Sequence, residues 1–160
     1  MTPIDAQLLD FAAALGVSIE YTEHLRDDRD GEYIHRRNLI RLRPAMHARK
    51  HRCVFAHELA HAVFGDTHSR FGPVSAKQER RAEEWAALRL ISAHDYRRAE
   101  QIHHGHVGAM ALELDVMVSI VKTFQNLLLR LGDTAYVEPR IGAGQWRHRF
   151  DTLTERLETA

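Results

Sequence analysis

An α+β fold is what the sequence predicts: a small antiparallel sheet packed on a helical core, followed by C-terminal helices. Three observations carry it. Short alternating stretches at 17–21 and 32–43 read as strands. Apolar residues at helical spacing dominate from about residue 45 onward, and glycine or proline punctuates the gaps between segments. With 160 residues and 44% hydrophobic content, the chain can bury one real core and a small helical appendage. The expected organisation is 1–100 for the part bearing the chemistry and 101–160 for a C-terminal helical region, either a separate lobe or part of the same domain.

The elements follow in order. Ile4, Leu8, Phe11 and Leu15 recur at helical spacing, and Gly16 caps that first helix. Val17-Ser-Ile-Glu-Tyr alternates as a half-buried strand does, and the turn-rich stretch from Arg26 to Gly31 ends it. Alternation resumes from Glu32 to Arg43 and stops at Pro44. From Ala45 to Phe64 the stripe Phe55, Leu59, Ala62, Val63 marks a helix ended by Gly65. After Gly72-Pro73, Ser75-Ala-Lys-Gln78 reads as a capping box opening the next helix, with Ala82, Trp85, Ala86 and Leu90 on one face. Two further helices span Val107 to Leu131. A polar helix is expected from Trp146 to Leu157, after a Gly142-Ala-Gly144 stretch of exposed character.

Composition excludes several classes. Lys+Arg and Asp+Glu both number 22, which disfavours bulk electrostatic binding to nucleic acid or membrane. No apolar run approaches the ~20 residues that span a bilayer, and no basic-then-apolar leader opens the chain, so a cytoplasmic location is expected. Cys53 is the single cysteine, so any metal must be held by histidine and carboxylate.

His57-Glu-Leu-Ala-His61 supplies such a set. On a helix the two imidazoles lie one turn apart on one face and share an ion, here Zn2+, while Glu58 addresses its water. Spacing alone is weak evidence: with 12 histidines, a shuffled chain would show the pattern about 7% of the time. Context adds weight. The neighbours Val54, Ala56, Ala60 and Phe64 are small or apolar, and a third ligand is available on the next helix. Glu79 precedes Ala82, Ala86 and Leu90 by three, seven and eleven residues, so it falls on that helix's apolar face, where an unpartnered carboxylate is costly. Glu83, one turn on, is expected either to support a ligand histidine or to replace Glu79 as the ligand. Asp66 and His68 rank below both, and His94, Tyr96, His103, His104 and His106 are candidates for stabilising an oxyanion.

Phe55-Ala-His-Glu-Leu-Ala-His-Ala-Val-Phe-Gly65 and Glu79-Arg-Arg-Ala-Glu-Glu-Trp-Ala-Ala-Leu-Arg-Leu-Ile91 resemble the ImmA/IrrE metallopeptidases. The resemblance covers about half the chain. It departs from the family at Glu83, where Asn or Asp is frequent, at Arg81, where an acidic residue is common, and at Arg89, where leucine is usual. It implies a zincin-like, gluzincin-type metalloendopeptidase whose protein substrate is a helix-turn-helix repressor of a phage or mobile element. Val107 to Val121 itself resembles a helix-turn-helix, with Asp115 at the turn. Its second helix, Met117 to Asn126, offers Lys122 as its cation, so direct nucleic-acid binding is disfavoured. The competing reading is a DNA-binding or protein-binding regulator with a structural zinc and no catalysis. Glu58 separates the two, because a structural site has no use for it.

Overall fold

Thr2 begins the first helix, α1 (Pro3–Ala14), by a reciprocal cap: its side chain accepts from the Asp5 amide, and Asp5 accepts from the Thr2 amide. The computed structural model describes residues 2–26 and 28–131, together with strands at Thr134–Tyr136 and Trp146–Arg149. Packing divides the chain into two units, Met1–Ala86 and Ala87–Ala160. The division falls inside a helix, whereas the sequence pointed to one near residue 100.

In the first unit α1 leads into β1 (Ser18–Tyr21), β2 (Gly31–Ile34), a 3-10 turn at His35–Arg37 and β3 (Leu39–Leu42). The strand order is β1-β3-β2. The sheet is mixed, not antiparallel as expected: β2 pairs antiparallel with β3, but β1 pairs parallel with it. Alternation reveals that a segment is a strand and nothing about its direction. Here the chain reverses between β1 and β2 and again at the His35–Asn38 hairpin, so β1 and β3 run the same way. Asn38 makes that arrangement possible. It adopts left-handed backbone geometry at φ 45°, and its amide donates to the carbonyls of Leu15 and Gly16 at 3.0 and 2.9 Å while accepting from the Tyr33 hydroxyl at 3.0 Å. Central β3 is the most buried strand, with Ile40 and Leu42 fully enclosed.

Helix α2 (Ala48–Phe64) packs on β2 and β3 and buries Phe55, Ala56, Leu59 and Ala60. Arg52, itself 4% exposed, forks onto Asp5 (Nε–Oδ1 2.7 Å, Nη2–Oδ2 3.2 Å) and so ties α1 to α2. The end of α2 is a Schellman turn. Gly65, at φ 63°, lets its own N–H reach the Ala62 carbonyl and the Asp66 N–H reach that of His61. Helix α3 (Gly72–Leu90) begins three residues before the expected capping box, as the Val74 and Ser75 amides already donate to the Phe71 carbonyl. Gln78 donates instead to the Thr67 carbonyl, holding the intervening loop against the helix.

The second unit contains α4 (Ala93–His103), α5 (Val107–Glu113), α6 (Val118–Leu131) and the antiparallel pair β4 (Thr134–Tyr136) and β5 (Trp146–Arg149). Tyr96 stacks on Phe124 at 4.9 Å, over a core that includes Met110, Val116 and Val121. Asp115, at φ 52°, forms the turn of the helix-turn-helix-like pair. Trp146–Arg149 is strand where a helix was expected; the rest of that expected helix and the Gly142–Gly144 stretch lie outside the described residues.

Candidate metal centre

Two features of α2 place the histidines. Their four-residue spacing sets both on one face, and the apolar stripe buried against the sheet turns that face toward α3. The result is a convergence of three donor atoms. His57 Nε2 lies 3.1 Å from His61 Nε2 and 3.2 Å from Glu79 Oε2, and His61 Nε2 lies 3.5 Å from Glu79 Oε1. Ligand bonds of about 2.0–2.2 Å would separate the donors of a tetrahedral zinc by about 3.3–3.6 Å. The observed 3.1–3.5 Å lies at or slightly inside that range, so a small outward shift of the donors would admit a zinc ion, and among the described residues these three form the group able to hold a metal.

The chemistry of the donors fits as well. His61 Nδ1 meets Asp66 Oδ2 at 2.9 Å. With the Nδ1 proton held on that carboxylate, Nε2 can give up the proton it shares with Glu79 and would then offer its lone pair to a metal. Burial by itself lowers the His61 pKa, but its hydrogen bonds to Glu79 and Asp66 outweigh this and raise it. The Glu79 carboxyl is held well below the usual range by its hydrogen bonds to His57 and then His61.

Glu79 is more open than its place in the apolar pattern implied. Its side chain is 55% exposed. Glu83 departs from expectation. It is exposed, and the Nδ1 of one of the two histidines, His61, is met by Asp66. A supporting glutamate on α3 would have to reach past Glu79, whereas the Schellman turn delivers Asp66 directly beneath His61. The sequence contains that signal in Gly65-Asp66, at the end of the helix one turn past His61, and periodicity alone does not reveal it.

Glu58 is 8% exposed and lies against β2. Burial raises its pKa; His57 and His61 oppose the shift, Glu79 adds to it and Arg29 opposes it. The wall behind it is Gly31, where a Cβ would fall 2.8 Å from Val54 Cγ1 and 2.9 Å from Glu58 Cγ. Of the oxyanion candidates, Tyr96 is buried with its hydroxyl on Glu100, and His106 caps α5 by accepting from the Ala109 amide.

A small sheet beneath a helix bearing His-Glu-x-x-His, with a carboxylate delivered from the next helix, is the architecture of a metallopeptidase. The chain belongs to the M78 peptidase family, whose IrrE N-terminal-like domain matches residues 11–119. Among solved structures, a Mycobacterium tuberculosis transcriptional regulator shares the fold at a TM-score of 0.59 and 16% identity, over 91% of this chain. The chain covers 48% of that structure. No curated protein matches it. Among the described residues, no helix is long and apolar enough to cross a membrane.

Proposed function

We propose that this chain is a zinc-dependent endopeptidase of the cytoplasm that hydrolyses a peptide bond in a specific regulatory protein, a helix-turn-helix repressor of a phage or mobile element. The observation that carries the reading is a nearly buried Glu58 beside three convergent donor atoms. His57 and His61 would hold the ion through Nε2, and Glu79 would hold it through a carboxylate oxygen. Zinc supplies Lewis-acid polarisation of water and of the scissile carbonyl. Glu58 takes the water's proton and hands it to the leaving amine; the burial that raises its pKa suits a group that must carry that proton. Strand β2 is at the sheet edge, so its outer side can pair with an extended substrate.

The competing regulator reading draws less support. The exposed side chains described along α6 include Lys122 beside Val118, Ser119, Asn126 and Leu129, whereas affinity for DNA is built from several phosphate contacts. Glu58→Gln tests the enzyme. The variant keeps zinc and melting temperature and loses about 10²–10⁴-fold in cleavage of a repressor encoded beside this chain. Cleavage equal to the parent's would remove Glu58 from the mechanism.

A further inference from the structure

The geometry points to Arg81 as a positioning residue of the metal centre, acting on His61 through Asp66. This rests on the reading of His57, His61 and Glu79 as zinc ligands. The Asp66 side chain is 7% exposed, and both its oxygens are engaged: Oδ2 meets His61 Nδ1 at 2.9 Å, and Oδ1 accepts from Arg81 Nη2. A carboxylate so enclosed needs compensation on each side. The imidazole supplies one N–H and Arg81 supplies the countercharge.

Arg81 is itself held in place. Its guanidinium lies 4.1 Å from the centre of the Phe64 ring, on the last turn of α2. One side chain thus joins α3, the end of α2 and the Gly65–Asp66 turn. Those three segments carry Glu79, His61 and the group that orients His61. Lysine at 81 would keep the charge but lose the planar stacking and the fork of donors. Without the guanidinium, Asp66 Oδ1 is left as a nearly buried acceptor without its ion pair, and the carboxylate no longer has one preferred orientation toward Nδ1. His61 then samples both tautomers, and the one protonated at Nε2 offers the ion no lone pair there.

The test uses the full chain with Arg81→Met, which keeps a side chain able to pack on Phe64, Arg81→Lys, Asp66→Asn and the Arg81→Met/Asp66→Asn pair. Zinc affinity is measured by chelator competition, and the His61 tautomer by nitrogen NMR on metal-free protein. Asp66→Asn is expected to weaken zinc binding by about 10–100-fold and Arg81→Met by about 10-fold. The pair should be no weaker than Asp66→Asn alone, because Arg81 works through that carboxylate. In metal-free protein Arg81→Met should lower the Nδ1-protonated population of His61, with Arg81→Lys in between. Parental affinity and an unchanged tautomer in Arg81→Met, or additive losses in the pair, overturn the proposal even if melting temperature falls. A parent that takes up no zinc while its His61 tautomer still responds to Arg81→Met would instead overturn the metal reading and leave the positioning chain standing.

Discussion

Replacing Gly31 by alanine sets two effects of opposite sign against each other at the wall of Glu58. In open space the substitution would stabilise the chain by about 0.4–1 kcal/mol, because alanine has less freedom to lose on folding. Here the new methyl carbon would fall 2.8 Å from Val54 Cγ1, 2.9 Å from Glu58 Cγ and 3.2 Å from Glu58 Oε1. The first two are about 0.5 Å short of ordinary contact, and overpacking of this kind costs about 1–3 kcal/mol. The clash wins. Set against the gain, the clash leaves a net cost of up to about 2.6 kcal/mol, and at about 2–4 °C per kcal/mol for a chain of this size melting temperature should fall by up to about 10 °C. The larger consequence is functional. Glu58 has to move by about half an ångström, and since a 1 Å misplacement can cost about 10²-fold, cleavage that uses Glu58 as proposed should slow by about 10-fold.

Differential scanning fluorimetry, elemental zinc analysis and repressor cleavage on one preparation would separate these effects. Zinc content should match the parent, since His57, His61 and Glu79 do not line Gly31. Adding Val54→Ala removes the nearest clashing atom but leaves Glu58 crowded, so the double variant should regain stability relative to Gly31→Ala without regaining cleavage. A Gly31→Ala protein more stable than the parent and equally active would refute the reasoning.

Two further predictions concern the ligand set and the α1–α2 tie. Glu79→Gln should lose zinc on dialysis against a weak chelator, whereas Glu83→Gln, on an exposed side chain, should retain the parental content by elemental analysis; the reverse order would exchange their roles. The Arg52 hydrogen bond holds the Asp5 carboxyl below its usual range, so its stabilisation is fully present above the unfolded pKa near ~3.9 and is lost as pH falls below that. Asp5→Asn should therefore be less stable than the parent by about 1.5–3 kcal/mol at neutral pH, and urea melts should show the gap closing below about pH 4.

What the sequence revealed about this site was what lies within one helix or on one periodic face. His57, Glu58 and His61 depend on four-residue spacing, and Glu79 on its phase with Ala82 and Ala86, so local pattern alone put all four forward as a site. The missed features are tertiary. Gly31 matters because β2 lies directly on Glu58, and no periodicity reports how close two backbones come. The parallel pairing of β1 with β3 depends on which side of β3 the chain returns to. Helical phase points to Glu83 as support and leaves Asp66 as a low-ranked ligand, because phase within a helix does not report a support that comes from a turn. The glycine four residues after the second histidine, which ends its helix, carries that signal, since the residue following a Schellman glycine is bonded back to the turn that bears the histidine.

Three carboxylates surround this centre, and composition cannot tell them apart; their environments do. Glu79, open to solvent and hydrogen-bonded by both imidazoles, is held ionised, which suits a ligand. Asp66 is enclosed but paired on both oxygens, which suits a fixed orienting group. Glu58 is enclosed against a glycine wall, and its burial favours the protonated form more than the neighbouring histidines disfavour it. Glu58 and Glu79, whose surroundings push their pKa values in opposite directions, are suited to divide the labour of carrying a proton and holding a cation. Among the described residues the sheet that buries Glu58 also has β2 at its edge, so on the proposed function the packing that encloses Glu58 would also set where an extended substrate lies beside it.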